Sequence, residues 1–187
     1  MKRWLDALLS GFFLLFSWPI LLIVVFVIRL ESPGPAIFMQ VRVGRNQRLF
    51  TCYKIRTMHW GTADLPTHQI LPSSVTGLGR RLRRLKFDEL PQLFNVLVGD
   101  MSLVGPRPCL PTQLDLIEAR QRLGVFEARP GITGLAQVQG VDMSDAERLA
   151  EIDARYVRTQ SLWGDVKLVW ATLRGQGVGV DQVMRSS

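Results

Sequence analysis

The chain has 187 residues, a formal net charge of +7 and a sequence pI near 10.2, and 47% of its residues are hydrophobic. This length is enough for one domain with its own core. A basic protein this apolar is not typical of nucleic-acid binders, so we expect no nucleic-acid partner. The combination indicates a partner surface that is both anionic and apolar, as a membrane is.

The first predicted element is an uncharged apolar run at residues 7–28. As a single helix it would be roughly 33 Å long, which is just enough for a bilayer core. The run is longer than the usual core of a cleaved signal peptide, and no small-x-small cleavage site follows it. We therefore expect it to be embedded in a membrane.

The charges and the proline of this run bear on its topology. Cations precede it at Lys2 and follow it at Arg29, and cationic flanks prefer the cytoplasmic side. Pro19 removes one helical hydrogen bond in the middle of the run, and the Ser17 hydroxyl can replace part of that loss. We favour a re-entrant helix-break-helix hairpin over residues 1–30, which enters and leaves by one face. A kinked spanning helix is the alternative.

Residues 31–187 are expected to form a cytoplasmic domain of the α+β class, mostly helical with a small β-hairpin. Alternating apolar residues in "AIFMQVRVGRNQRLFTCYKIRTM" predict two strands joined by a Gly44–Asn46 turn. A polar loop is expected at residues 59–76. A basic helix then follows in "TGLGRRLRRL", a second helix in "DELPQLFNVLVGD" and a third at residues 112–127, while "MSLVGPRPCLP" reads as a proline-braced loop.

Two further helices are predicted near the C-terminus. Ser144 precedes Glu147 by three residues, which is the spacing of a capping box. The last helix, "SLWGDVKLVWATLR", is amphipathic and contains Trp163 and Trp170. Tryptophan is favoured at membrane interfaces, so this helix is expected either in the headgroup layer or packed on the domain core.

The cysteines and histidines limit the chemistry that the chain can carry. Cys52 and Cys109 lack metal-ligand spacing and are expected to be reduced core residues. His59 and His68 are the only histidines, which argues against a histidine-based metal site or a Ser/His/Asp hydrolase.

Asp88 and Glu89 are adjacent and directly follow a block of cations in "GRRLRRLKFDEL". One interpretation is structural, because Asp is a good helix N-cap and Glu suits a first turn. The other is chemical, because carboxylates among cations can hold a divalent metal with phosphate, and a carboxylate can attack phosphorus. Helix rules alone favour the cap, and the surrounding cations favour the chemistry.

Three other motifs offer groups for phosphate. Arg107 lies between two prolines in "VGPRP", which restrict its backbone and suit a guanidinium clamp; a solvated turn is the alternative. The motif "RPGITG" predicts a type II turn that leaves backbone N–H groups for an anion, next to Arg129 and Thr133. Lys54 and Arg56 alternate along one strand face in "YKIRTM", or are only solvated cations.

These pieces, in this order, resemble the monotopic phosphoglycosyl transferases of the bacterial sugar transferase family. The resemblance rests on the apolar run with its central proline, "SPGPAIFMQ", "YKIRTM", "DELPQLFNVLVGDMSLVGPRP", "RPGITGLAQV" and "DVKLVWATL". It covers residues 5 to 180 and is similar to the minimal, catalytic-domain-only type. Such members often place Ser directly before the break-point proline, whereas here Trp18 stands there and Ser17 precedes it.

The resemblance implies a reaction in which a sugar 1-phosphate moves from a UDP-sugar to undecaprenyl phosphate and UMP is released. It implies that Asp88 is the nucleophile, that Glu89 assists by metal or proton handling, and that Mg²⁺ is the cofactor, held by both acids. Arg107 and Arg129 would hold phosphate, and Thr133 and Gly134 the nucleotide side. It also implies location on the cytoplasmic face of the bacterial inner membrane, with membrane lipid and downstream glycosyltransferases as partners.

Two rival functions remain open from the residues. A non-catalytic module could bind anionic lipid through Arg80 to Lys86, and a membrane hydrolase could cleave nucleotide sugars. The sugar is not specified by any motif, although residues 59–76 and 139–146 are candidates for selectivity, and N-acetylated UDP-hexosamines are favoured by analogy with small members.

Overall fold

The computed structural model describes residues 1–62 and 72–175 of the chain. Two short sheets and a set of helices form an α+β structure, as the sequence predicts. Within these residues the elements are, in chain order, α1 Lys2–Glu31, β1 Ile37–Val43, β2 Leu49–Ile55, α2 Gly77–Arg84, α3 Gln92–Val98, β3 Ser102–Val104, α4 Leu114–Arg122, β4 Gly131–Thr133, α5 Leu135–Val138, α6 Ala146–Thr159 and α7 Leu162–Leu173.

The apolar run forms α1, which is one continuous helix with Pro19 inside it. Helical structure runs through the predicted break at Ser17, Trp18 and Pro19, since a proline can bend a helix without ending it, and the re-entrant bend at these residues stays a prediction. Of the helices in the described ranges, α1 is the one with the length and composition to cross a membrane, and its apolar side chains are largely exposed.

Both ends of α1 contact the same domain. Near the start of the helix, the Asp6 carboxylate accepts a hydrogen bond from Ser102 Oγ at 2.7 Å. At its end, Glu31 accepts a hydrogen bond from the backbone N–H of Leu78 at 3.2 Å. A helix that crossed a bilayer could not keep both contacts, since its ends would lie on opposite sides.

The β-hairpin is confirmed by the antiparallel pairing of β1 and β2, with Ile37 opposite Ile55 and Val43 opposite Leu49. Its turn closes through a hydrogen bond from the Gly44 N–H to the Arg48 carbonyl at 2.8 Å. Asn46 has a φ of 53° in this turn, a left-handed conformation in which asparagine is enriched.

Three groups of buried side chains surround this hairpin. Val43 packs with residues of α4, α5 and α6, Ile55 packs with α1 and α2, and Cys52 packs with α3. Cys52 and Cys109 are buried and unpaired, which confirms that they are core thiols. The hairpin thus packs against α1, α2, α3, α4, α5 and α6.

A second sheet consists of β3 and β4, which pair in parallel, with Ser102 opposite Gly131 and Val104 opposite Thr133. The sequence predicted a loop at β3, because three residues are too few to show an alternating pattern. At β4, Gly131 lies in the strand and its N–H donates to the Pro106 carbonyl at 2.9 Å. The predicted type II turn at Pro130–Gly131, with its free N–H groups, is therefore wrong.

The cap of α6 differs by one residue from the predicted capping box. The Asp145 carboxylate accepts the Arg148 backbone N–H at 3.1 Å, and Asp145 is the N-cap. Ser144 instead donates its hydroxyl to Asp142 at 2.5 Å. Either residue type suits this position, so the sequence pattern could not choose between them.

The last helix, α7, has one packed and one exposed side. Asp165 is buried, whereas Trp163 and Trp170 are 69% and 56% exposed. Its place at a membrane surface stays a prediction, as does the division into residues 1–30 and 31–187. The predicted polar loop at residues 59–76 and His68 lie wholly or partly outside the described residues.

Candidate active site

Asp88 and Glu89 line a cavity of about 1200 Å³. The cavity lies where the β-hairpin, the α2–α3 connection, the β3 and β4 ends, α1 and α7 meet. Four of the cations that line it are called the cationic cluster here: Lys54, Arg83, Lys86 and Arg107. The acid pair and the cationic cluster form a polar floor in an otherwise largely apolar cavity.

A strained turn presents the acid pair to this cavity. After α2 ends, Lys86 adopts a left-handed conformation with φ 57° and ψ 21°, and a 3₁₀ turn over Phe87–Glu89 follows. Left-handed residues other than Gly, Asn and Asp are uncommon, and they often occur at functional sites. The Lys86 ammonium group donates to the Thr172 carbonyl of α7 at 3.4 Å.

The structure does not support the interpretation of Asp88 as a helix cap. The following helix, α3, begins at Gln92 after Pro91, and no side chain of the described residues caps it. Asp88 instead lies one turn earlier, in the 3₁₀ turn. Its position is therefore set by the turn between two helices and not by capping.

Glu89 is held by two cations from different elements. Its Oε1 atom lies 3.3 Å from Arg107 Nη2 and 3.8 Å from Lys54 Nζ. Burial alone would raise the pKa of Glu89, but Arg107, Lys54 and Lys86 together hold it below its ordinary value. Glu89 is thus an ionised carboxylate that binds the cationic cluster together.

Asp88 has a different environment although it is the next residue. Within residues 1–62 and 72–175, its carboxylate forms no ion pair and accepts no hydrogen bond. Burial and the neighbouring Glu89 carboxylate raise the pKa of Asp88, against the opposing effect of Lys54 and the two arginines of the cluster. Asp88 is therefore the more basic and the less restrained of the two acids.

Two cations of the cluster are themselves partly buried. Burial and the nearby Arg107 lower the pKa of Lys54, and Glu89 partly offsets this shift. Burial lowers the pKa of Arg83, whose Nε donates to Thr57 Oγ1 at 2.8 Å. Arg83 was missed as a site residue in the sequence. Its position next to Leu82 could have indicated that Arg83 faces the domain, because Leu82 is an apolar residue that α2 buries. The other arginines of α2 are exposed.

Arg107 is positioned by the close approach of two backbone segments. Its neighbour Gly105 donates its N–H to the Thr133 carbonyl at 2.9 Å. A Cβ atom on Gly131 would lie 2.1 Å from the Gly105 nitrogen, and one on Gly105 would lie 2.4 Å from the Arg129 carbonyl oxygen. Only glycine allows this approach, which places the "VGPRP" and "RPGITG" motifs side by side.

A buried ion pair lies behind Arg107. Arg120 donates to Asp153 Oδ2 from Nε at 3.0 Å and from Nη2 at 2.6 Å, and both side chains are almost fully buried. The third nitrogen, Arg120 Nη1, donates to the Arg107 carbonyl at 2.9 Å. Burial raises the pKa of Asp153, and Arg120 opposes that shift. The pair supports the backbone of Arg107 and was not identified from the sequence.

The other predicted site residues separate into two groups. Thr133 and Gly134 line the cavity, and Thr133 Oγ1 lies 2.6 Å from Thr172 Oγ1 of α7. Arg56 also lines it, but its guanidinium donates to the carbonyls of Ser32, at 2.8 Å, and Pro33. Its hydrogen bonds therefore fix the turn after α1.

Arg129 is not brought to the acid pair. It does not line the cavity, and its Nε donates to the Gly99 carbonyl at 2.9 Å. Its charged neighbours include Arg3 and Arg45. The structure thus does not place this predicted phosphate ligand in the cavity with Arg107.

One amide that the sequence did not single out also lines the cavity. Gln137 Nε2 donates to the Ile132 carbonyl at 3.2 Å, which fixes the orientation of the amide. Its Oε1 atom is buried and accepts no hydrogen bond from the described residues. Gln137 therefore presents an acceptor that a bound molecule could use.

The acid pair suits a magnesium ion that arrives with a phosphate substrate. Within the described ranges, no group of three or more His, Cys, Asp or Glu side chains could hold a metal. Mg²⁺ needs only one or two carboxylates when substrate phosphates complete its coordination. Asp88 and Glu89 provide that number of carboxylates beside cations that suit phosphate.

Comparison with known proteins gives a family for this arrangement. The family model described as bacterial sugar transferase matches residues 1–176. The chain is 43% identical over 183 residues to a UDP-glucose:undecaprenyl-phosphate glucose-1-phosphate transferase of Caulobacter vibrioides, which covers 92% of this chain and 68% of the relative.

Two further relatives extend this comparison. The chain is 39% identical to a UDP-N-acetylgalactosamine-undecaprenyl-phosphate N-acetylgalactosaminephosphotransferase of Aeromonas hydrophila, and the match covers 92% of this chain and 43% of the relative. It is 41% identical to a sugar transferase of Bacillus subtilis, with 93% of this chain and 86% of the relative covered. The names of the first two relatives include different sugars, so similarity alone does not specify one.

The buried pair of Arg120 and Asp153 allows a stability test. Arg120→Met should lower the free energy of unfolding by about 3–5 kcal/mol, because it leaves a buried carboxylate without its partner. The double variant Arg120→Met/Asp153→Leu should recover most of that loss. Chemical denaturation followed by circular dichroism in detergent measures both values.

A matched control lies two residues further along α4. Arg122 forms an ion pair with Glu147, but both side chains are more than half exposed. Arg122→Met should leave the unfolding transition almost unchanged. Equal effects of the Arg120 and Arg122 substitutions would contradict the supporting role of the buried pair.

Proposed function

The chain belongs to the bacterial sugar transferase family, which makes it a phosphoglycosyl transferase, and we propose that it transfers a sugar 1-phosphate from a UDP-sugar to undecaprenyl phosphate. In this proposal UMP is the second product, and the lipid-linked sugar diphosphate is the start of a glycan that downstream glycosyltransferases extend. The sugar is one of those carried by UDP; the first two relatives carry glucose and N-acetylgalactosamine in their names.

The observation that carries the proposal is the contrast between two adjacent carboxylates. Glu89 is ionised and paired with Arg107 and Lys54, while Asp88 has no partner in the described part of the chain. A nucleophile needs a free lone pair, and the cations beside it must be kept in place when the substrate is absent. Asp88 meets the first need, and Glu89 meets the second.

In the first step, an Asp88 carboxylate oxygen attacks the β-phosphorus of the UDP-sugar. The new bond joins the Asp88 oxygen to phosphorus, and the bond from that phosphorus to the bridging oxygen breaks. UMP leaves with the bridging oxygen and its electron pair. The cationic cluster offsets the negative charge that gathers on the phosphate groups, which is the main requirement of phosphoryl transfer.

In the second step, an oxygen of undecaprenyl phosphate attacks the same phosphorus. Its bond to phosphorus forms while the bond to Asp88 breaks, and Asp88 returns to a free carboxylate. No proton has to be supplied in either step, since both nucleophiles and both leaving groups are anions. A soluble donor and a membrane-bound acceptor can then use one site in turn, which gives ping-pong kinetics.

Asp88 and Glu89 would hold Mg²⁺ together with the diphosphate of the donor. When bound, the ion would neutralise charge on the diphosphate and on the departing UMP. Glu89 keeps its ion pairs with the cationic cluster in the free enzyme, and these pairs hold its side chain at the polar floor of the cavity.

The contacts at both ends of α1 support a monotopic arrangement. Asp6 and Glu31 each hydrogen-bond to the domain that contains the acid pair, so the two ends of the helix share one side of the membrane. We place that side in the cytoplasm of a bacterium, at the inner membrane, because the flanks of the run are cationic and UDP-sugars are cytosolic.

The first test is product formation by the wild-type protein and by Asp88→Asn. With Mg²⁺, undecaprenyl phosphate and a panel of UDP-sugars, the wild type should release UMP and form a lipid-linked sugar for at least one donor. Asp88→Asn should reduce the rate at least about a thousandfold, because the amide cannot attack phosphorus. UMP release and radiolabelled lipid extraction measure both products.

Controls for this test separate the rival functions. Asp115→Asn, at an exposed position of α4, should retain full activity. Release of free sugar phosphate without acceptor would show a hydrolase. Salt-sensitive liposome binding with no UMP from any donor would show a lipid-binding module, and an active Asp88→Asn variant would exclude Asp88 as the nucleophile.

Removal of the divalent metal should stop the reaction. EDTA is expected to abolish UMP release, and Mg²⁺ in excess of the chelator is expected to restore it, because the two carboxylates add to the negative charge of the diphosphate and a divalent cation would offset it. A coupled assay for UMP follows both changes. Unaltered turnover in EDTA would show that the cationic cluster suffices.

Cysteine labelling tests the topology. Cysteines are introduced by Trp4→Cys and Leu30→Cys, because Trp4 and Leu30 are 82% and 73% exposed. The native cysteines are buried. An impermeant thiol reagent should label both positions in inverted membrane vesicles and neither in intact spheroplasts. Phe16→Cys, in the middle of α1, should remain unlabelled from both sides. Labelling of the two ends from opposite faces would show a spanning helix.

A further inference from the structure

The cavity that contains the acid pair is walled on one side by a stripe of α1. Leu5, Leu9 and Phe13 line the cavity at a spacing of four residues, which places them on one face of the helix. They are 44%, 41% and 51% exposed. The stripe from Leu5 to Phe13 is about 12 Å long at the rise of an α-helix.

Helix α7 forms a second wall of the cavity with the same spacing. Leu162, Val166 and Trp170 line the cavity as residues i, i+4 and i+8, and they are 41%, 55% and 56% exposed. Both walls are therefore apolar, and their side chains are only half covered by the protein. The space between them is continuous with the cavity that contains Asp88.

Polar contacts link α1 and α7 at one end of the two walls. Lys2, at the start of α1, forms an ion pair with Asp165 of α7. The Tyr156 hydroxyl lies 2.8 Å from the same carboxylate and 2.9 Å from the Val104 carbonyl of β3. The spacing between the helices is thus set by contacts with the domain and not by packing of one stripe against the other.

The polar floor and the apolar walls together suit an amphiphilic ligand. The cationic cluster suits a phosphate, whereas a nucleotide sugar has no group that would cover two apolar stripes. A phosphate that is joined to a long hydrocarbon chain would cover both at once. The donor accounts for the floor but leaves the walls unexplained.

We propose that the isoprenoid chain of the acceptor phosphate lies between α1 and α7, along Leu5, Leu9 and Phe13 on one side and Leu162, Val166 and Trp170 on the other. This inference rests on the proposed function. The phosphate of the acceptor reaches the cationic cluster at the floor of the cavity, and the chain leaves the protein along the two stripes. The walls fix the direction of the acceptor and exclude water behind the attacking oxygen.

The alternative is that bilayer lipid covers the stripes without any role in acceptor binding. Helix α1 provides a matched pair of residues for this comparison. Leu9 lines the cavity, whereas its neighbour Leu8 is 70% exposed and does not line it. The same substitution at the two positions makes equal changes in apolarity and size, and it differs only in the face of the helix.

The test compares Leu9→Trp with Leu8→Trp in nanodiscs of fixed lipid composition. Leu9→Trp should raise the KM for undecaprenyl phosphate roughly tenfold, because the larger ring occupies the space of the chain. Leu8→Trp should leave this KM within about twofold. Val166→Trp, on the opposite wall, should reproduce the effect of Leu9→Trp.

The donor half of the reaction is measured separately. Exchange of radiolabelled UMP into UDP-sugar needs no acceptor, and it should proceed at the wild-type rate in all three variants. An equal acceptor KM for Leu9→Trp and Leu8→Trp would overturn the inference. If Leu9→Trp also lost UMP exchange, the Val166→Trp variant would decide whether the chain lies between the helices. Normal exchange together with a normal acceptor KM in Val166→Trp would overturn the inference.

Failure of the proposed function gives a different result. If the wild type transferred sugar phosphate but did not exchange UMP, the proposal of a covalent intermediate would be wrong. The acceptor KM values would still test whether the isoprenoid chain lies between α1 and α7. If the wild type released no UMP from any donor, the reaction itself would be wrong and the inference would be overturned with it.

Discussion

The ion pairs of Glu89 hold together the elements that form the site. Lys54 comes from the second strand of the hairpin, Arg107 from the loop after β3, and Glu89 from the turn between α2 and α3. Lys54 and Arg107 both lie within 4 Å of Glu89 Oε1. The two cations would repel each other in a partly buried cavity, and the Glu89 carboxylate offsets that repulsion. In the described part of the chain the neighbouring Asp88 carboxylate forms no ion pair, since Lys54 and Arg107 pair with Glu89 and Arg83 donates to Thr57.

This constraint explains why the domain has so many buried polar contacts around Arg107. The guanidinium can serve Glu89 and a phosphate only if its backbone does not move, and two prolines restrict that backbone from within the loop. Glycines at 105 and 131 let the neighbouring strand approach, and Arg120 binds the Arg107 carbonyl from behind. Asp153 in turn keeps Arg120 in place at a buried position where an unpaired charge would be costly.

Local patterns in the sequence were enough for part of this arrangement. The hairpin follows from alternation, and the acid pair and Arg107 stand out because their neighbours in the chain are unusual. The roles of Arg120 and Asp153 depend on residues that are distant in the chain, and no local period indicates such a contact. Arg56 was predicted to bind phosphate because it alternates with Lys54 along one strand, and Arg129 because it adjoins the "RPGITG" motif and matches the family. Backbone carbonyls at chain turns already accept hydrogen bonds from both side chains. Gly131 was misread for a related reason, because a Pro-Gly pair favours a turn until a distant strand pairs with it.

In the proposed reaction one cavity receives two ligands with little in common, and its two surfaces would divide that task. The polar floor suits the phosphate groups that the proposed donor and acceptor share, so each would react at Asp88. The apolar walls match only the acceptor, and they come from α1 and α7, which the Lys2–Asp165 pair holds together. Thr172 of α7 also contacts Lys86 and Thr133. Helix α7 therefore both forms one apolar wall and contacts residues of the polar floor. A chain that enters between α1 and α7 would therefore contact the same helix that supports the turn before Asp88, which links acceptor binding to the geometry of the nucleophile.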